Sequence, residues 1–185
     1  MPRPLIAGRQ GGYILGRMTA TPTRYAPAAV GAASLALLLG ALGFQYLGGL
    51  APCPLCLWQR WPHGVVIALG VVGLAVAGRP TARAVVLGLA GLALTVGAGI
   101  ALYHVGVEQA WWEGTTACTG GAASAGGDSV DALRQQLFET ELVRCDAVAW
   151  SLLGISMAGW NGLISVAVAA FAFAAAASSL RERSR

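Results

Sequence analysis

The chain contains no lysine, and only 11% of its 185 residues are charged, against about a quarter in an ordinary soluble domain. Histidine occurs twice and cysteine four times. So little charge excludes a conventional solvated surface. The net charge of +4 comes entirely from arginine, with no basic patch on an ordered surface that would suit a nucleic-acid partner. Nor does a cleaved signal peptide fit the beginning. The first apolar run is longer than a signal core, and Cys53 follows close behind it. Residues 1–25 carry four arginines without hydrophobic periodicity and read as a disordered cytoplasmic tail, in which Met18 offers a second possible start.

What the sequence does hold is apolar length: 56% of it is hydrophobic. A membrane-crossing helix needs roughly 20 mainly apolar residues. Four stretches meet that length, at about 26–50, 57–78, 84–105 and 150–180. The expected fold is an all-α membrane protein, a four-transmembrane-helix bundle over 26–180. Loops at about 51–56 and 106–149 lie on one side, and a short tail, 181–185, ends the chain. Gly40, Gly43, Gly70, Gly73, Gly88, Gly91, Gly154, Gly159 and Gly162 are expected to let helices approach closely, with Gln45 and Asn161 bonding between helices.

Arginine is distributed unevenly. Arg3, Arg9, Arg17 and Arg24 precede the first span, Arg79 and Arg83 fall between the second and third, and Arg181, Arg183 and Arg185 follow the fourth. In a four-span chain these places share one face, which the positive-inside rule makes cytoplasmic. Both termini are then cytoplasmic. Seven of the eight acidic residues lie in the long loop opposite, Glu182 being the exception.

With that orientation every cysteine faces outward, where an oxidising compartment favours disulfide chemistry. Cys118 and Cys145 would close a loop of ordinary length, as a structural staple does. Cys53-Pro-Leu-Cys56 is a C-x-x-C element, which is usually redox-active or half of a metal site. Zinc would require two more ligands, for which only His63 and His104 offer nitrogen, and no metal is expected. Leu57, not histidine, follows Cys56, which excludes c-type haem attachment. Arg60 stands four residues after Cys56, on the same face if a helix begins there. A guanidinium beside a thiol at a helix N-terminus favours the thiolate. The plainer alternative makes Arg60 an interfacial anchor flanked by Trp58 and Trp61. His104 and Glu108, one turn apart, are expected to border the site or to be an ordinary interfacial pair. Trp111 and Trp112 read as interfacial anchors.

Within the second loop, DSVDALRQQLFETELV places Val130, Leu133 and Leu137 at helical spacing after a plausible N-cap at Asp128. The expected element is a short surface helix lying on the membrane.

The stretches FQYLGGLAPCPLCLWQRWP, ALYHVGVEQAWWEGTTACTG and CDAVAWSLLGISMAGWN resemble the DsbB family of bacterial inner-membrane thiol-quinone oxidoreductases. The resemblance spans the chain from the first helix to the fourth. It implies that a periplasmic, DsbA-like thioredoxin-fold protein is reoxidised at Cys118–Cys145, with Cys118 forming the mixed disulfide. Electrons then pass to Cys53–Cys56, and Cys56 delivers them to a quinone, ubiquinone or menaquinone, held near Arg60 and, less directly, His104. The implied setting is the bacterial inner membrane, with lipid and the quinone pool as further partners. Two other readings remain: the same fold in a reductive or isomerising pathway, and a non-catalytic membrane protein whose disulfides only staple loops.

Overall fold

A computed structural model describes residues 23–115, 118 and 143–184. Four long helices dominate it: α1 (Ala26–Tyr46), α2 (Pro54–Ala75), α3 (Pro80–Glu108) and α4 (Met157–Arg183). All four are long and apolar enough to cross a membrane. The surface helix expected over 128–143 lies outside the described residues.

Each helix begins with a local signal. Proline occupies the first turn of α1, α2 and α3, where its missing N–H would have no intrahelical partner anyway. Cys53 and Ser156 cap α2 and α4, each accepting a backbone N–H with its side chain. Helix α2 therefore starts three residues before the expected position, and Cys56 lies inside its first turn. Helix α4 starts later than expected, at Met157. Ahead of it a two-residue hairpin pairs β1 (Ser151–Leu152) with β2 (Ile155–Ser156). Its turn holds Leu153 and Gly154 at φ of 54° and 78°, the left-handed pair that a tight hairpin demands. Hydropathy alone reads SLLGIS as the head of a span, because it does not register that backbone reversal.

The interior is made of small residues. Val30, Val66, Leu87, Ala90, Leu94, Ala169, Ala172 and Ala175 form a shared buried core from all four helices. Helices α1 and α2 cross at glycine: a Cβ on Gly70 would stand 2.9 Å from the Gly31 Cα. Gly91 and Gly162 likewise face a Phe173 ring and the Ala101 methyl. Gly40, Gly43, Gly88 and Gly154 do not serve this role, since a Cβ at any of them would meet nothing within 4 Å. Large side chains such as Leu39, Val71, Leu89 and Leu102 point outward, as expected where the surroundings are hydrocarbon rather than water.

The antiparallel order places the start of α1, the α2–α3 turn and the end of α4 together. Arg83 is buried there, donating to Ser179 Oγ at 2.9 Å and to the Ala77 carbonyl at 2.7 Å. It also pairs with Glu182, which accepts from Thr23 as well. All four cysteines lie at the opposite end.

Candidate redox site

Capping of α2 sets the geometry of the C-x-x-C element. The Cys53 sulfur accepts the Cys56 backbone N–H at 3.2 Å, and the two sulfurs stand 2.8 Å apart with Cys53 donating. Both are free thiols. Donation to Cys56, reinforced by burial, raises the Cys53 pKa above the ordinary thiol range. Cys56 is thus the sulfur that accepts, and it is the less buried of the two.

The second pair is a disulfide, Cys118–Cys145, with Cα atoms 5.1 Å apart. It is not remote from the first. Cys53, Cys118 and Cys145 share one buried cluster with Leu55 and Val107, against which Cys56 packs. The fold brings together two cysteine pairs that are separated in sequence by more than a transmembrane helix.

Arg60 lies one turn after Cys56, but no hydrogen bond joins the two among the described residues. The guanidinium instead donates through Nη1 to Gln45 Oε1 of α1 at 2.7 Å. Its Nε is buried without a hydrogen-bond partner among those residues. His104 extends from α3 to the thiols, with Nε2 3.5 Å from Cys53 Sγ and Nδ1 2.8 Å from Gln59 Nε2. Glu108 lies beside it, 3.9 Å from Nε2, and accepts from Ser156 Oγ.

Cys53, Cys56 and His104 place three ligand atoms within 4.8 Å of one another. Two thiolates on a tetrahedral zinc ion stand about 3.7 Å apart, given a Zn–S length near 2.3 Å. The sulfurs here are nearer, at 2.8 Å, which is too close for two thiolates on one zinc ion.

A cavity of about 320 Å³ adjoins the thiols. Its walls include Leu37 and Phe44 of α1, Cys56 and Arg60 of α2, Trp150, and Ile164 of α4. Pockets of this kind are mostly apolar with a few placed polar groups. A flat, apolar molecule bearing carbonyl oxygens fits that lining, in which Arg60 is a cationic residue. A quinone has those properties.

The sequence reading singled out the cysteines, Arg60 and His104, and all of them meet at this end of the bundle. It missed the part played by Gln59 and His63. The signal for them was slight: two polar residues at i and i+4 in a helix that is, apart from Arg60, largely apolar. Trp111 and Trp112 are exposed, with Trp112 stacked on Tyr103 and donating to its carbonyl at 2.9 Å. That arrangement suits interfacial anchors.

Residues 23–175 match the family model described as disulfide bond formation protein DsbB. A disulfide bond formation protein B of Dechloromonas aromatica is 33% identical over 82% of this chain and 90% of its own length. One from Saccharophagus degradans is 35% identical over 74% of this chain and 86% of its own. No solved structure matches. A match that runs through all four helices and both cysteine pairs places the chain in the DsbB family of membrane proteins for disulfide bond formation.

Proposed function

We propose that this protein reoxidises a periplasmic dithiol protein of the DsbA type and passes the electrons to a membrane quinone. One observation carries this reading above the others. A disulfide and a dithiol are packed in a single cluster, and the dithiol opens onto an apolar cavity that also holds Arg60. Cysteines that merely staple loops have no need of either neighbour.

The steps balance as ordinary thiol–disulfide exchange. A thiolate of the reduced partner attacks Cys118, and the Cys118–Cys145 bond breaks with its electron pair left on Cys145. The partner's second thiolate then attacks the mixed disulfide, leaving as an oxidised protein and releasing Cys118. The Cys145 thiolate attacks the oxidised form of the Cys53–Cys56 pair, and resolution by Cys118 restores the outer disulfide. Two electrons now rest on the Cys53–Cys56 dithiol. A quinone in the cavity supplies the acceptor, taking two electrons and two protons as that dithiol returns to a disulfide.

The chain's own residues prepare this last step. Cys53 keeps its proton and donates to Cys56, so negative charge collects on Cys56, the less buried sulfur. Arg60, held by Gln45, presents cationic donors in the same wall. Such donors are worth most where water is excluded. The orientation with cysteines in the periplasm follows from the arginine distribution.

The test mixes purified protein with a reduced thioredoxin-fold dithiol protein and a soluble quinone, following quinone absorbance. Stoichiometric loss of quinone with oxidation of the partner is expected. A protein whose cysteines stay redox-inert toward both would overturn the reading.

A further inference from the structure

A chain of hydrogen-bonded side chains runs from His63 to Cys53 across three helices. His63 Nε2 lies 2.9 Å from Asn161 Oδ1, Asn161 Nδ2 lies 2.7 Å from Gln59 Oε1, and Gln59 Nε2 lies 2.8 Å from His104 Nδ1. His104 Nε2 then stands 3.5 Å from Cys53 Sγ. His63, Gln59 and His104 are each more than nine-tenths buried.

The direction of these bonds is fixed by chemistry. Gln59 Nε2 also lies 3.4 Å from the Leu55 carbonyl, which only accepts, so the amide nitrogen belongs on that side. It therefore donates to His104 Nδ1, and the amide oxygen accepts from Asn161 Nδ2. Asn161 Oδ1 is left to accept from His63 Nε2. The remaining nitrogen of His63, Nδ1, is buried without a partner among the described residues. That suits a bare lone pair better than an orphaned N–H, the rarer defect in proteins. A neutral imidazole carries one N–H. With His104 Nδ1 accepting, its hydrogen sits on Nε2 and faces Cys53. Every donor in the chain points toward the thiols, and hydrogen bonds aligned in one sense polarise one another.

We propose that Asn161 and His63 are positioning residues that, through Gln59, hold His104 in its Nε2–H tautomer with this N–H directed at the Cys53 sulfur. The inference rests on the exchange between pairs given under the proposed function. The N–H fixes the position of Cys53, the inner sulfur that shares a buried cluster with Cys145 and so meets the incoming thiolate when the inner pair is oxidised. The incoming thiolate bonds to Cys53, the Cys53–Cys56 bond breaks, and its electron pair leaves on Cys56 beside the cavity. A set of polar groups serving only to join helices would need no common direction and would not fix a tautomer.

The chain has two histidines, so ¹⁵N labelling of histidine gives two imidazoles to observe, and His63→Gln assigns them. In the wild type at neutral pH, His104 is expected with Nε2 protonated and Nδ1 bare. His63→Gln, whose amide nitrogen replaces the ring N–H, should preserve that signature. Asn161→Leu should yield a mixture of tautomers and slow exchange between the pairs about tenfold, the effect of about one hydrogen bond. A wild-type His104 found as the Nδ1–H form or as imidazolium would overturn the proposal. So would an unchanged tautomer in Asn161→Leu. Should that variant fail to fold, the wild-type and His63→Gln spectra decide alone. A protein with the expected tautomer that nevertheless reduces no quinone would sink the proposed function and leave this arrangement standing.

Discussion

At the scale of single residues, the cysteines of the inner pair have unequal tasks. Cys53 is capped by a backbone N–H, buried, and donates to its neighbour, and the donation and burial hold its proton well above the usual thiol range. A raised pKa keeps a thiol protonated through neutral pH, and only the thiolate reacts. In the reduced protein, alkylation at pH 7 to 8 should therefore modify Cys56 first, with Cys53 following only at higher pH. Peptide mass spectrometry after timed quenching would show this, and equal labelling of both would contradict it. Arg60 gives a second expectation. Lysine preserves charge but not the planar fork, and here the fork spans Gln45 and the cavity. Arg60→Ala should weaken apparent quinone affinity ~10- to 100-fold, the range of a charged hydrogen bond, and Arg60→Lys distinctly less. Turnover against quinone concentration measures both, and wild-type dependence in Arg60→Ala would return the residue to a lipid-facing anchor. Arg60 was legible because it follows C-x-x-C at one helical turn. The His63–Asn161–Gln59 connection was not, since the partners lie 98 and 102 residues apart and no local pattern encodes the choice.

At the scale of elements, hydropathy locates spans well and their ends poorly. It registers burial in hydrocarbon but not the backbone reversal at Leu153–Gly154 or the cap supplied by Ser156. Glycine shows the same limit. Sequence marks it as a site of close packing, yet only geometry separates Gly70, pressed on the α1 backbone, from Gly88, which faces open space. Gly70→Ala should destabilise the bundle by about 1–3 kcal/mol, the usual cost of overpacking, because the neighbour at 2.9 Å is main chain and has no rotamer to change. Gly88→Ala should be neutral or slightly stabilising, within about 1 kcal/mol, since alanine is the better helix former. Unfolding in mixed micelles would compare them. Equal stability of the two variants would mean that the α1–α2 crossing can spread apart.

For the whole molecule, the two ends differ in kind. One gathers arginine, with Arg83 neutralised by Glu182 and Arg79, Arg181 and Arg183 close by in sequence. The other gathers the four cysteines and the cavity. Four apolar runs made the bundle and its polarity readable. The cavity was not, because it arises where α1 and α4 make few contacts with each other. The proposed electron path requires this polarity to match the membrane, with the cysteine end in the oxidising compartment. In spheroplasts, a membrane-impermeant thiol reagent applied after reduction should label the cysteines, and in inverted vesicles it should not. The order of the path can be read in the same preparation. Cys118→Ser should abolish capture of the dithiol partner while leaving the inner pair reducible by small thiols. Cys56→Ser should still form the partner adduct but pass no electrons to quinone. Cys118 is itself buried against the inner pair, so capture requires Cys118 to come away from that cluster. Partner attack should accordingly be slower than attack on an exposed model disulfide, and it should quicken in mild denaturant before the helices unfold. Labelling only in inverted vesicles would reverse the topology and remove the partner's access, and near-normal turnover in either serine variant would break the order.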